Sequence, residues 1–265
     1  MIANTRRLFS WLLRPMRIEV VCDVGSMDGA DALRFRDMLP SARIYAFEAN
    51  PENYKRMAVD PALRERSIQV LPFAVGDANG TAEFFLVDAD YSRPNESRGM
   101  SSLYRRTDQF APVAVAQVKT VRLDSFLTNE HAAHARVALW IDTEGAAYEV
   151  IAGMQGVLRQ VQVLHVEVES APLIGAEQKL YPDVKSLLQT MGFRELATDR
   201  DRDRLQFNVV YVRHGPPWLT QAWIWLCLLC ARVRYLGASA LQRWCPSCLR
   251  RYQAVRQLNA PARRN

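Results

Sequence analysis

The chain has 265 residues, 49% hydrophobic and 23% charged, a balance that excludes wholesale disorder, a collagen repeat and a coiled coil. Five Cys in this length make no disulfide framework. Of the net charge of +6, residues 1–17 hold +4 and residues 216–265 hold +8, with no acid in either stretch, so the body between them is −6; an acidic body with basic ends is not a folded nucleic-acid grip.

Residues 5–16 read as a short amphipathic helix, with Leu8, Phe9, Leu12, Leu13 and Met16 at helical spacing and Pro15 weakening its end. Ile18 to Cys22 is a mostly apolar run of the kind found in buried parallel strands. A turn sequence follows, Asp23-Val24-Gly25-Ser26-Met27-Asp28-Gly29, then a helix from Ala30 to Leu39 stopped by Pro40. Arg43 to Phe47 is the next strand, and Pro51 opens a second helix at the position Pro favours. Ile68 to Val75 and Thr81 to Val87 read as strands. The polar stretch 88–112 reads as a long loop that closes over a ligand.

Val118 to Val121 is extended and Leu123 to Leu127 begins a helix. Val137 to Ile141 is a strand, and Ala147 to Leu158 a helix. Val161 to Val168 is a strand with Leu164, Val166 and Val168 on one face and His165, Glu167 and Glu169 on the other. Tyr181 to Met191 is a helix closed by Gly192, and Phe193 to Ala197 with Phe207 to Val212 form a last hairpin. Strands alternating with helices imply an α/β fold: a doubly wound, mostly parallel sheet with helices on both faces and one antiparallel strand at the end.

In such a sheet ligands bind beyond the carboxyl ends of the strands, so the residues there carry the functional reading: Asp23 and Gly25, Glu48, Phe73 to Val75, Asp142 and Glu144, and Glu167 to Ser170. A dinucleotide turn needs three glycines and a free helix N-terminus for its pyrophosphate. The matching positions here are Asp23, Gly25 and Asp28, and two carboxylates there repel an anion. Asp-x-Gly-x-x-x-Gly suits a cation-bearing ligand without phosphate, and Glu48, 25 residues on, is placed to accept both hydroxyls of a ribose. The set describes a site for S-adenosylmethionine, with Gly25 and Gly29 letting the backbone approach and Asp23 near the methionine end. An NAD-dependent oxidoreductase and a non-catalytic membrane adaptor that keeps only the fold are the alternatives.

At these residues the chain resembles the FkbM family of methyltransferases. The matches run in order: Asp23 to Gly29, Phe47-Glu48-Ala49-Asn50-Pro51, Ala74-Val75-Gly76-Asp77 with Gly80, Ser101-Ser102-Leu103, Leu123 to Leu127, Leu139 to Gly145, Glu149 to Gly153, Val166-Glu167 and Gly192-Phe193. They span about residues 18–213. Met27 or Asp28 stands where members usually carry Asn, and Trp140 where they often carry Lys.

The resemblance implies a Rossmann-like class I fold with a seven-stranded sheet. It also implies methyl transfer from S-adenosylmethionine to a hydroxyl of a sugar, glycan or natural product. Asp23, Gly25, Ser26, Gly29, Glu48, Ala49, Phe73, Ala74 and Asp142 are then the cofactor residues. Asp142 is the candidate base, with Glu144 in support. Asp142 with Glu167 also resembles the oxygen ligands that catechol-type methyltransferases offer magnesium, and the sequence leaves base and metal open.

Two other pairs read as ordinary. His131 and His134 read as solvent-facing, and Cys245 with Cys248 lacks a second pair for zinc. The start shows no secretory pattern, and reduced thiols suit a cytoplasmic protein. The chain thus divides into an amphipathic helix (1–17), a methyltransferase domain (18–215) and a basic, Trp- and Leu-rich helical extension (216–265). Trp218 to Ala231 is too short to span a bilayer. The extension reads as an interfacial element at the inner face of a membrane, or else as a helical pair that packs on the body or makes a homodimer.

Overall fold

The computed structural model describes residues 2–87, 98–106, 113–132, 134–200 and 204–213. The extension, Cys245 and Cys248, and most of the 88–112 loop lie outside them. In chain order the elements begin with α1 (Thr5–Leu13), β1 (Val20–Val24), α2 (Ala30–Met38), β2 (Arg43–Phe47), α3 (Pro51–Val59) and α4 (Pro61–Glu65). Next come β3 (Gln69–Leu71), β4 (Phe73–Val75), β5 (Gly80–Leu86), β6 (Ala114–Val121) and α5 (Leu123–Asn129). The last are β7 (Val137–Ile141), α6 (Ala147–Ala152), β8 (Val161–Glu169), α7 (Tyr181–Thr190), β9 (Phe193–Thr198) and β10 (Gln206–Arg213).

The main sheet has seven strands in the order β3-β2-β1-β7-β8-β10-β9. β3, β2, β1, β7 and β8 pair in parallel, and β10 runs antiparallel to both its neighbours. This is the α/β architecture read from the alternation of elements. β1 and β7 are buried along their whole length, as an apolar run covered on both faces must be. One face packs Phe126, Val150, Leu188 and the other interior residues of α5, α6 and α7. The other face takes Leu8, Phe9, Leu12 and Leu13 of α1 with Phe35 of α2. The apolar side of α1 is thus spent on the sheet.

The run 68–75, expected as one strand, is two. Pro72 has no N–H for the ladder, and the chain breaks there. β3 stays at the edge of the main sheet, while β4 joins a three-stranded sheet, β4-β6-β5, not foreseen from the sequence. The helix expected over 147–158 also stops early. A Cβ on Gly153 would lie 2.0 Å from the Gly76 carbonyl oxygen, so this backbone approach admits only glycine, and glycine ends the helix.

Candidate functional site

The carboxyl ends of β1, β2 and β7 meet at Gly25. The Gly25 and Ser26 amides both donate to the Phe47 carbonyl at 3.0 Å, and the Asp142 amide donates to the Val24 carbonyl at 2.9 Å. Gly25 has φ +84°, and a Cβ there would lie 1.8 Å from the Asp142 carbonyl oxygen. The turn then closes on itself. Met27 donates its amide to Glu48 Oε2 at 2.6 Å, Asp28 and Gly29 donate to the Ser26 carbonyl, and Ala30 donates to Asp28 Oδ1. Every amide from Gly25 to Ala30 therefore has an acceptor inside the protein. A pyrophosphate needs such amides free, so the nicotinamide reading loses its anion site.

Glu48 lies at the end of β2 and is buried. Its second oxygen accepts the Asn50 amide at 2.7 Å, while the Asn50 side chain caps α3 by accepting from Glu52 and Asn53. Burial pushes the Glu48 carboxyl up to about 7, and the two amides oppose the shift. Asp23 is buried one layer beneath, accepting from Ser26 Oγ at 2.6 Å. Burial, then the neighbouring Asp31, lift it to about 8.

A cavity of about 520 Å³, counting the space at its open mouth, occupies this end of the sheet. Gly25, Glu48, Ala49, Phe73, Ala74 and Asp142, named as cofactor residues from the sequence, line it. Asp23, Ser26 and Gly29 are not among the lining residues. Asp23 and Ser26 support the turn from below, and Gly29 (φ +78°) faces Leu63. Sequence reasoning missed Met27, Phe84, Ser101, Leu103 and Thr143, which also line the cavity.

Ser101 arrives on the segment 98–106. Its Oγ accepts from the Val87 amide at 3.1 Å and from Asn50 Nδ2 at 3.3 Å. The motif Ser101-Ser102-Leu103 was visible in the sequence, but nothing local says that it folds back onto Asn50.

Beside the cavity Asp142, Glu144 and Glu167 bring carboxylate oxygens within 4.8 Å of one another. Glu167 and Glu169 extend from one face of β8, and Gln206 at the start of β10 donates to Glu167 at 2.9 Å and Glu169 at 3.2 Å. Glu144 sits in left-handed backbone (φ +48°), held by Ser102 Oγ on its carbonyl at 2.6 Å and by Arg106 on its carboxylate at 3.0 Å. Burial raises Asp142, Glu144 and Glu167 above the usual carboxylate range, Glu167 most clearly because Asp142 and Glu144 also repel its charge. A hydrogen bond joins Glu167 to Asp142; it pulls Asp142 down against its burial and pushes Glu167 further up. The two histidines, 131 and 134, are not in this group.

The residues lining the cavity suit S-adenosylmethionine chemically. Thr143 Oγ1 is buried on its wall with no hydrogen-bond partner, a polar atom waiting for a ligand group. Phe73, Phe84 and Leu103 supply apolar walls, and Glu48 an acceptor pair. Glu48→Ala is expected to weaken S-adenosylmethionine binding by roughly 1.5–3 kcal/mol, the worth of charge-assisted hydrogen bonds. The ionised carboxylate is the form that accepts ribose hydroxyls. Because Glu48 stands near 7 in the free protein, affinity should rise as pH goes from 6 to above 7 and then level. Glu48→Gln should flatten that rise. Calorimetric titration across pH reads both, and a wild-type profile matching that of Glu48→Gln would remove Glu48 from the site.

Comparison with known proteins identifies the family. The family model for the methyltransferase FkbM domain matches residues 23–195. The chain is 26% identical over 176 residues to the 2-O-methyltransferase NoeI of Sinorhizobium fredii, covering 63% of this chain and 70% of that protein. Among solved structures, magnesium protoporphyrin IX methyltransferase from Synechocystis PCC 6803 with bound SAM aligns over 79% of this chain and 77% of its own, at 12% identity and TM-score 0.42. The N-terminal domain of EvdMO1 with SAH bound covers 79% and 81%, at 11% identity and TM-score 0.43. With the family model covering most of its length, the chain belongs to the FkbM methyltransferase-domain family and is a methyltransferase.

Proposed function

We propose that the chain moves the methyl group of S-adenosylmethionine to a hydroxyl, with Asp142 as the base. One observation carries this reading. Of the three clustered carboxylates, Asp142 alone also lines the cavity, so it stands between cofactor and acceptor. The bound cofactor would supply a methyl group on a sulfonium, whose leaving group needs no assistance. What the chain contributes is position, worth up to ~7–11 kcal/mol in favourable cases, and a place for a proton. Glu48 holds the ribose end. Asp142 takes the proton of the acceptor hydroxyl as that oxygen becomes bonded to carbon. Glu167, by donating to Asp142, keeps it the ionised partner, and Arg106 fixes Glu144 alongside.

The acceptor is a sugar, a glycan or a related natural product. The 2-O-methyltransferase relative supports this, as do Glu144, Glu169 and Gln206 beside Asp142, which offer hydrogen-bonding groups to a polyol. The basic ends hold the enzyme at the inner face of a membrane.

A second reading uses the same three carboxylates as magnesium ligands, and their 4.8 Å spacing favours it. Methyl transfer into a glycan extract, followed with labelled S-adenosylmethionine, separates the two. With Asp142 as base, chelator leaves the rate unchanged. Loss of the rate with chelator and its return with magnesium would assign the cluster to a metal.

A further inference from the structure

Opposite its buried face, α1 presents Arg6, Arg7, Trp11 and Arg14, and with Arg34 of α2 these line an open groove. No carboxylate is among the lining residues. Asp31 stands at one end, paired with both Arg6 and Arg34. Arg14 spends only its Nε, on the Met38 carbonyl at 2.8 Å, and is exposed; Trp11 and Arg7 are half-buried. Four guanidinium groups against one carboxylate leave the groove strongly positive.

The Arg14 end of this groove lies at the edge of the sheet where β10 ends. Arg213 closes β10 and donates its Nε to the Val161 carbonyl, the first residue of β8. Val161 is level with Val137, and Val137 with Val20, so this is the edge at which the strands begin. α1 reaches that same edge through Arg14 to Ile18. From residue 216 onward the chain carries eight Arg and no acid.

We infer that the groove between α1 and α2 docks on an anionic phospholipid surface, its arginines taking headgroup phosphates and Trp11 lying at the level of the headgroups. Guanidinium forks match phosphate oxygens in pairs, and Trp is favoured at the boundary between water and lipid. The inference rests on the membrane reading of the basic ends and names the surface that performs it.

The test is flotation of the full-length protein with vesicles of phosphatidylglycerol and phosphatidylcholine, against phosphatidylcholine alone. Binding to the anionic vesicles only is expected. Arg7→Glu with Arg14→Glu should weaken it about tenfold or more, with unchanged S-adenosylmethionine titration reporting an intact fold. If the double variant loses that titration, the single exposed change Arg14→Glu replaces it, with a smaller loss expected. Wild-type flotation by an intact variant would overturn the groove and leave attachment to the extension. Flotation with neither vesicle would overturn both the groove and the membrane reading. Release by millimolar inorganic phosphate would make the groove a soluble-phosphate site, and retention on an RNA oligonucleotide without vesicle binding would make it a nucleic-acid surface; either overturns the inference.

Discussion

Gly25→Ala is expected to cost the protein roughly 3 kcal/mol or more, and most of its cofactor affinity. Two penalties combine at this residue. Its φ of +84° is left-handed, which costs a residue with a Cβ about 1–2 kcal/mol. The new methyl group would also stand 1.8 Å from the Asp142 carbonyl oxygen, an overlap with backbone that no side-chain rotation relieves, so β1 and β7 must part. Such overpacking costs typically 1–3 kcal/mol. A loss of this size lowers the melting temperature by roughly 6–12 °C in a domain of this length. Parting those strands moves Asp142 away from Glu48 and opens the cavity, so S-adenosylmethionine affinity should fall about tenfold or more. Thermal unfolding with and without cofactor measures both. A variant with wild-type melting temperature and affinity would show that the close approach at Gly25 does not shape the site.

Asp142→Asn should leave cofactor binding within a few fold of the wild type while turnover falls by about 10²-fold or more, the usual worth of a positioned base. Asn keeps the shape of the side chain and can still accept from Glu167, so the cavity wall is preserved. What it cannot do is take a proton from a hydroxyl. The contrast between binding and turnover is therefore the diagnostic quantity. Turnover that survives the substitution would reduce Asp142 to a structural role at the tip of β7.

How much of this was legible beforehand differs by residue. Glu48 and Asp142 could be found because each directly follows an apolar strand, and the sheet rule places strand ends at the ligand edge. Pro72 was equally visible, yet the run on either side of it reads as one strand. Only its missing N–H, weighed against the apolar pattern, reveals the split between two sheets. Asp23 and Ser26 belong to the recognised turn, but their depth beneath the cavity depends on how β1 sits between β2 and β7. Arg106 and Gln206 carry no local signal, and the Ser101 motif gives no sign of where it folds. They reach the site from a loop and from the antiparallel strand by tertiary folding.

Trp140 stands where the resemblance suggests Lys. The structure stacks it on His165 with ring centroids 3.6 Å apart, inside the core beneath α1. There the indole is a packing residue, and nothing at that position calls for a charge. The helix α1 itself was read as amphipathic from its spacing. The sequence could not say that its apolar side is satisfied by the sheet, with Arg6, Arg7 and Arg14 on its outer side.

In the proposed reaction a methyl group passes from S-adenosylmethionine to a hydroxyl at Asp142. Its most direct test is incubation of the protein with S-adenosylmethionine carrying a deuterated methyl group and an extract of glycans and glycolipids, read by mass spectrometry. The account predicts a product bearing the labelled methyl on oxygen, formed with wild type and absent with Asp142→Asn. Label found on nitrogen or carbon, or an equal yield with Asp142→Asn, would contradict it.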